Sequence, residues 1–290
     1  MSTEGRNPKT TYIDRLDTAG ILGLINDEDA TVAGAVRKEL PTIARVVDVI
    51  VAALQNGGRL IYTGAGTSGR MAVIDAAECY PTFGIPDGMV QAVMAGGEKA
   101  FVRAIEGAED DEQAGKADIG KLKVTDRDVV CGISASGNAP YVVGTLKAAK
   151  LIGTTTVSVV NNINTKMEAV SDINVFLDTG EEVIKGSTRM KAGSSQKICL
   201  NMISTACMIK LGRVYENLMV DMRATNNKLV KRAVSMVREV CGCNPVEAEK
   251  TLELADWSVK TAIVMLSLGI TKSEAEALIK EKNFLYNILQ

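Results

Sequence analysis

The sequence has no histidine among its 290 residues. This absence excludes Ser-His-Asp triads, histidine metal ligands and acid–base catalysis by an imidazole. Any catalytic proton transfer therefore falls mainly to Glu, Asp, Lys, Cys or Tyr side chains. The pair Cys241-Gly-Cys243 has neither a second cysteine pair nor a histidine that would complete a zinc centre. We expect these two cysteines to be structural and expect no metal.

Aromatic residues, excess charge and long apolar runs are also scarce. A single Trp and an aromatic content of 4% provide little material for stacking on bases, and a net charge of −2 argues against binding to polyanions. We therefore expect no nucleic-acid partner. No apolar stretch is long enough to span a membrane, and the first residues lack the hydrophobic segment of a signal peptide. With six cysteines mostly in apolar runs, these features predict reduced thiols, no membrane partner and a cytoplasmic location.

From residue 59 the chain alternates between short apolar stretches and helical patterns. The alternation predicts an α/β fold with a doubly wound, parallel, five-stranded sheet whose strands are buried on both faces. Ligands of such sheets bind outside the carboxyl ends of the strands. The predicted strands are Leu60–Thr63, Val90–Met94, Val129–Ile133, Thr156–Val160 and Asn174–Leu177. The predicted helices between them are Gly69–Ala77, Glu98–Gly115, Pro140–Leu151 and Lys166–Val170.

The regions on either side of this pattern are predicted to be helical. We divide the chain into an N-terminal helical segment at 1–49, the α/β domain at 50–213 and a C-terminal helical region at 214–290. The first N-terminal helix is predicted to start from a cap at Asp17-Thr18. Residues of about 240–290 resemble a small three-helix, ubiquitin-associated-like module.

The first predicted strand runs into a loop of small residues, Gly64-Ala65-Gly66-Thr67-Ser68-Gly69. A helix starts there, so unpaired backbone N–H groups and the positive end of the helix dipole make an anion site. The loop matches the G-x-G-x-x-G dinucleotide fingerprint, which also requires an acidic residue at the end of the second strand. That strand ends in Ala95-Gly96-Gly97 instead, which favours a sugar phosphate over a dinucleotide. A tight turn without a ligand is a third alternative.

Two further segments are rich in small and hydroxyl residues, like the loop after the first predicted strand. The third predicted strand ends in Ser134-Ala135-Ser136-Gly137-Asn138. Since loops at the ends of neighbouring parallel strands converge, two hydroxyl-rich helix N-termini suit one small dianion such as a phosphomonoester. The segment at 186–195 adds Ser187, Arg189 and Lys191 at another helix start. A capped helix with its cations on a solvated face is the alternative for that segment.

Glu78 follows two alanines, and Pro81 comes shortly after it. The pattern places Glu78 in apolar surroundings at the C-terminal end of the helix that starts in the first loop. A carboxylate there opposes the helix dipole, which suggests a function such as general acid catalysis. The alternative is an exposed residue at a helix end.

A second group of carboxylates surrounds Glu109 in the acidic run at 106–112. On the helix predicted over Glu98–Gly115, the apolar residues at 101, 104, 105 and 108 share one face. Glu109 borders that face, whereas Glu106 and Asp110 lie further toward solvent. Glu109 is therefore the better candidate for a group that faces a pocket, and a solvated acidic surface is the alternative.

Six motifs together resemble those of the N-acetylmuramic acid 6-phosphate etherase family, which has the sugar isomerase (SIS) fold. The resemblance extends from about Ile25 to the C-terminus, with the motifs in the same order and at similar spacing. It is more specific than any single motif. The motifs are GAGTSGR, DAAECYPTFG, AGGEKAFVRAIEGAEDD, SASG, GSTRMKAGSSQK and NLMVDMRATNNKL.

The resemblance implies that D-lactate is removed from the C3 ether of N-acetylmuramate 6-phosphate by elimination and then hydration, which leaves N-acetylglucosamine 6-phosphate. It implies Glu78 as the acid and Glu109 as the second catalytic glutamate, the base. It also implies no metal or organic cofactor, a homodimer, and a role in cell-wall amino-sugar recycling in the bacterial cytoplasm. Together with the loops, it assigns the substrate and its phosphate to Gly66, Thr67, Ser68, Gly69, Ser134, Ser136, Gly137, Asn138, Ser187 and Lys191.

One position departs from the family pattern, since Ala139 stands where the family usually has Thr. This change removes a candidate phosphate hydroxyl, and Asn138 is a candidate replacement.

Two other functions remain as alternatives. One is a non-catalytic sugar-phosphate sensor, because the regulatory protein of glucokinase shares the fold. The presence of both glutamates argues against this alternative. The other is an aldose–ketose isomerase, which also needs a carboxylate base.

Overall fold

The chain begins with short turns and three helices, and the computed structural model describes residues 2–290. The 3₁₀ turns Ser2–Glu4, Pro8–Thr10 and Ile13–Arg15 precede α1 (Thr18–Asp29), α2 (Val32–Lys38) and α3 (Leu40–Gln55). The predicted cap of α1 is confirmed, since the Gly20 N–H donates to Asp17 Oδ1 at 2.8 Å. α3 buries an apolar face because Ile43, Val46, Ile50 and Leu54 recur at helical spacing.

Five parallel strands form one sheet in the order β2-β1-β3-β4-β5, which confirms the predicted fold class. Each strand lies within one residue of its predicted bounds. The strands are β1 (Leu60–Gly64), β2 (Val90–Met94), β3 (Val129–Ser134), β4 (Thr155–Val160) and β5 (Ile173–Phe176).

The register of the sheet aligns the ends of its strands. Gly64, the last residue of β1, pairs with Met94 on β2 and with Ile133 on β3. The carboxyl ends of these three strands therefore lie side by side. The loops after β1 and β3 follow neighbouring strands, as predicted.

The remaining helices connect the strands and form the C-terminal region. They are α4 (Gly66–Phe83), α5 (Glu98–Val102), α6 (Glu112–Lys121), α7 (Pro140–Ile152), α8 (Lys166–Val170), α9 (Lys191–Lys210), α10 (Asn227–Cys241), α11 (Pro245–Leu254), α12 (Val259–Leu268), α13 (Lys272–Lys282) and α14 (Leu285–Leu289). The C-terminal module thus has a fourth short helix, α14, beyond the three predicted. Within residues 2–290, no helix has the length and apolar character that crossing a bilayer requires.

Two helix predictions near the candidate site are wrong. α4 does not end near Ala77 but continues to Phe83, because Pro81 removes only one main-chain donor and the Gly84 N–H closes the last turn on Tyr80 O at 3.0 Å. Residues 98–115 do not form one helix. α5 ends at Val102, and Gly107 adopts a left-handed conformation with a φ of 71° before a 3₁₀ turn at Ala108–Asp110.

Two compact units make up the chain. The first comprises the chain up to Ala77 together with Gly88–Ser204, and it contains the whole sheet. The second comprises Glu78–Asp87 and Thr205–Gln290, and it has its own buried apolar cluster drawn from α10 to α14. The domain boundaries at 49/50 and 213/214 stay predictions.

Candidate functional site

The turn after β1 brings a helix N-terminus to the carboxyl end of the sheet. β1 ends at Gly64 and α4 begins at Gly66. The turn requires glycines, since a Cβ on Gly64 would lie 2.7 Å from Gly69 Cα and a Cβ on Gly69 would lie 2.8 Å from Met94 Cβ. Ser68 is buried in this first turn. Because the first N–H groups of a helix have no acceptor within it, the turn can bind an anion.

The loop after β3 is held together by its own hydroxyl groups. Ser134 Oγ accepts a hydrogen bond from the Gly137 N–H, and Ser136 Oγ accepts one from the Asn138 N–H, both at 3.2 Å. The two hydroxyl oxygens are 3.2 Å apart. This arrangement places two adjustable hydroxyl groups at the end of the strand next to β1.

Asn138 and Ala139 have structural contacts in this loop. The Asn138 side chain donates to Ser136 O and accepts from the Lys166 N–H, each at 3.0 Å, so both ends of its amide are occupied. Ala139 is buried in an apolar cluster with residues of α7 such as Val142 and Val143. The methyl group of Ala139 therefore contributes to packing in this cluster.

The segment before α9 also approaches the first turn of α4. A Cβ on Gly193 would lie 3.2 Å from Thr67 Cγ2, so the start of α9 lies against that turn. Ser187 is half-buried in the preceding turn, and Arg189 is exposed. The start of α9 thus lies at the same end of the sheet as the first turn of α4.

Lys191 has a different environment from these hydroxyl residues. Its side chain is 3% exposed, and its ammonium nitrogen lies 2.6 Å from Glu28 Oε2. The interpretation of Lys191 as a solvated surface cation is therefore wrong. Lys191 lines a separate depression of about 500 Å³, together with Asn7, Lys9 and Glu28.

A pocket of about 230 Å³ unites the first turn of α4 with the acidic segment. Gly66 and Arg70 of α4 line it, and so does Glu109 from the segment after α5. The structure therefore brings the predicted base to the predicted phosphate turn. Glu106 and Asp110 line the same pocket, so the expectation that they face away from it is wrong.

Glu78 belongs to the second unit and lies inside α4, not at its end. The argument from the helix dipole therefore does not apply, and the expectation of apolar surroundings is wrong because the side chain is exposed. Nearby in the same unit, Arg223 stacks on the Tyr80 ring at 4.8 Å and donates to Tyr80 Oη at 3.0 Å. These contacts fix the last turns of α4 to the segment at 221–223.

Comparisons with known proteins identify the family. A family model described as glucokinase regulatory protein N-terminal SIS domain matches residues 42–150, and one described as the C-terminal lid domain of glucokinase regulatory protein matches residues 216–258. The N-acetylmuramic acid 6-phosphate etherase of Clostridioides difficile (strain 630) is 49% identical over 279 residues, which cover 96% of this chain and 92% of the relative. The chain belongs to the N-acetylmuramic acid 6-phosphate etherase family.

A second relative agrees with this etherase assignment, and a solved structure agrees with the fold. The N-acetylmuramic acid 6-phosphate etherase of Edwardsiella ictaluri (strain 93-146) is 50% identical over 280 residues, covering 97% of this chain and 93% of the relative. Among solved structures, a phosphoheptose isomerase from Francisella tularensis matches with a TM-score of 0.55 at 14% identity, covering 67% of this chain and all of that chain (100%). The family predicted from the motifs is confirmed, and so is the SIS fold.

Two residues of the etherase motifs have contacts that sequence reasoning missed. Arg70, the last residue of GAGTSGR, donates to the carbonyls of Ala100 and Phe101. Asp75, the first residue of DAAEC, is buried in the first unit and accepts hydrogen bonds from Asn201 at 2.6 Å and Ser204 at 3.0 Å. Burial raises the pKa of the Asp75 carboxyl, although these donors oppose the shift. Only the motifs themselves pointed to these positions.

Proposed function

We propose that this chain is a carbon–oxygen lyase that removes D-lactate from the C3 ether of N-acetylmuramate 6-phosphate and releases N-acetylglucosamine 6-phosphate. The observation that carries the proposal is 49–50% identity to two such etherases over 92% and 93% of their lengths. The pocket supports it, since an anion-binding helix start and a carboxylate line the same 230 Å³ space.

The phosphate is proposed to bind at the first turn of α4. There the N–H groups of Gly66 and Thr67 and the hydroxyl of Ser68 donate to its oxygens. Gly69, whose N–H donates to Ala65 O at 3.1 Å, supports the shape of the turn. The hydroxyls of Ser134 and Ser136 in the adjacent loop, and that of Ser187, contribute further donors. Gly137, whose N–H donates to Ser134, supports the shape of that loop. Asn138 and Lys191 are assigned a supporting role, since the first is bound to Ser136 and Lys166 and the second to Glu28.

The two glutamates are proposed to divide the proton transfers between them. In the ring-opened sugar the C1 aldehyde makes the C2 proton acidic, and Glu109 removes it as the base. The electrons of that bond form a C2–C3 double bond while the C3–O bond breaks, and Glu78 donates a proton to the departing lactyl oxygen. Water then adds at C3 and a proton returns to C2. One water molecule is consumed, and both the elimination and the hydration proceed with proton transfers that carboxylates can catalyse.

The family resemblance also supports a homodimer that works in amino-sugar recycling in the cytoplasm. Light scattering tests the first part, and a mass equal to one chain at micromolar concentration would contradict the dimer.

Lactate release tests the reaction directly. The purified protein is incubated with N-acetylmuramate 6-phosphate, and D-lactate is quantified while NMR follows the sugar. We expect equimolar D-lactate and N-acetylglucosamine 6-phosphate. Interconversion of sugars without lactate would indicate an isomerase. Ligand-dependent stabilisation without turnover would indicate a sensor.

The roles of the glutamates are tested by single substitutions. Glu109→Gln should lower both lactate release and exchange of the C2 proton of N-acetylglucosamine 6-phosphate in D₂O, by roughly 10²- to 10⁴-fold. Glu78→Gln should lower lactate release by a similar factor and leave C2 exchange in place. Glu106→Gln is the matched comparison, since Glu106 lines the same pocket. If Glu106→Gln abolished C2 exchange and Glu109→Gln did not, the assignment of the base would be wrong.

A further inference from the structure

Arg70 links the phosphate-binding turn to the segment that carries Glu109. It is the fifth residue of α4, in the turn that begins at Gly66. Its guanidinium donates from Nε to Phe101 O at 2.9 Å and from Nη2 to Ala100 O at 2.8 Å. Both acceptors lie in α5, just before the segment at 103–111, and Arg70 and Ala100 line the pocket together with Glu109.

The geometry of this link defines the orientation of α5 as well as its distance from Arg70. The last carbonyl groups of a helix have no donor within it and carry the negative end of the helix dipole, so a cation suits them. A guanidinium is a rigid planar fork, and two parallel donations to successive carbonyls fix the rotation of α5 about Arg70. A single ammonium group has no such geometry.

The segment at 103–111 is exposed except at Ala108, which packs against the buried cluster that includes Val142 of α7. Val102 is 81% exposed at its start, Ile105 is 44% exposed, and Glu109 is exposed as well. Ile105 packs over Gly96, where a Cβ would lie 3.1 Å from Ile105 Cβ. Within residues 2–290, residues 98–110 accept side-chain hydrogen bonds from other parts of the fold only through these two donations from Arg70. Such a segment opens locally at low free-energy cost unless a link of this kind restrains it.

We propose that Arg70 is a positioning residue that holds the Glu109 segment in register with the phosphate-binding turn. It acts through the carbonyls of Ala100 and Phe101 and does not touch the reacting atoms. This inference rests on the proposed etherase function. It adds a residue that ties the position of the base to the position of the bound phosphate.

Three variants test the proposal in the full-length protein. Arg70→Gln removes the fork, and Arg70→Lys keeps the charge without the fork. Arg103→Gln is the matched control, because it removes a cation from the exposed side of the same segment and leaves the link intact. For Arg70→Gln we expect kcat for lactate release to fall on the order of 100-fold, because misplacing a catalytic group by about 1 Å has such an effect. Arg70→Lys should recover part of that loss, and Arg103→Gln should match the wild type.

Two measurements separate positioning from other roles. The affinity for N-acetylglucosamine 6-phosphate should be unchanged in Arg70→Gln, since the phosphate turn is intact. Hydrogen–deuterium exchange at the amides of residues 103–111 should become faster in Arg70→Gln and not in Arg103→Gln.

The contrary outcomes are distinct. If Arg70→Gln lowered only the melting temperature, Arg70 would be merely structural, and if product affinity fell together with kcat, Arg70 would be a ligand of the sugar phosphate. Either result would overturn the proposal. If the wild-type protein released no lactate, the proposed function would be wrong. If hydrogen–deuterium exchange at residues 103–111 were unchanged in Arg70→Gln, the link would not hold the segment, whatever the function.

Discussion

Glu28 and Lys191 form an ion pair that is almost completely removed from water. Their side chains are 5% and 3% exposed, and Lys9 and Asn7 also donate to the Glu28 carboxylate at 3.0 and 2.9 Å. Burial by itself raises the pKa of the Glu28 carboxyl, but the donations from Lys191, Lys9 and Asn7 outweigh it and lower the pKa from 4.5 to about 2. The charged form of Glu28 therefore stabilises the folded state.

This pair predicts a defined pH dependence of stability. Since the folded-state pKa of Glu28 lies below its unfolded value, its contribution is complete above about pH 4.5 and is lost as the pH falls toward 2. Glu28→Gln also leaves the Lys191 ammonium buried without its partner, so it should lower the free energy of unfolding by about 3–5 kcal/mol at pH 7. Urea unfolding at pH 7, 4 and 3 checks this. The difference from the wild type should shrink below pH 4.5, and a difference that stayed constant would contradict the assignment.

The residues that sequence reasoning found and missed differ in where their partners lie. Ser68, Ser134 and Ser136 were predicted because strand ends and small-residue loops are local patterns. Arg70 and Asp75 were missed because their partners lie about 30 and 126 residues further along the chain. Such contacts depend on the tertiary fold, and no spacing within the motifs encodes them.

At the scale of helices, α6 and α7 approach each other closely enough that glycine is required at the contact. A Cβ on Gly115 of α6 would lie 2.1 Å from Tyr141 O, and one on Gly144 of α7 would lie 2.3 Å from Glu112 O. Both contacts are with backbone, which cannot move aside as a side chain can. Since α6 follows the Glu109 segment directly, this contact also fixes where that segment ends.

Alanine substitutions at two glycines of α6 should therefore have opposite effects on the free energy of unfolding. Gly115→Ala should lower the free energy of unfolding by about 1–3 kcal/mol, because the added methyl group overpacks the contact with α7. Gly120→Ala is the matched control in the same helix, where a Cβ would meet nothing within 4 Å. It should raise stability by about 0.5–1 kcal/mol, because alanine favours helix and glycine does not. Denaturant unfolding measures both, and equal effects of the two variants would contradict the packing argument.

The elements were predictable to the extent that their ends are locally determined. The strands were placed within one residue because buried apolar runs are bounded by glycine and polar residues. The helix predicted over 98–115 failed because periodicity could not reveal that Gly107 adopts a φ of 71°. The end of α4 was misplaced because a proline in the last turn of a helix removes only one main-chain hydrogen bond.

At the scale of the whole molecule, the C-terminal module is continuous with the helix that precedes it. Met236 and Val237 of α10 belong to the same buried cluster as Leu252, Ile263 and Val264. The module predicted to begin at about 240 therefore has no core of its own that excludes α10. A cluster shared across that position should open as one cooperative unit.

Cooperative opening of this cluster is testable through Ile263, which is fully buried at 0% exposure in α12. Ile263→Ala should cost about 2–5 kcal/mol, since it removes buried methyl groups and leaves a cavity. If the cluster opens as one unit, native-state hydrogen exchange should show the same loss of protection in α10 (Asn227–Cys241) and in α12 (Val259–Leu268). Leu254→Ala is a suitable control, because Leu254 is 58% exposed at the end of α11 and should change neither. Loss of protection in α12 with full retention in α10 would instead indicate a separate module with its boundary near residue 240.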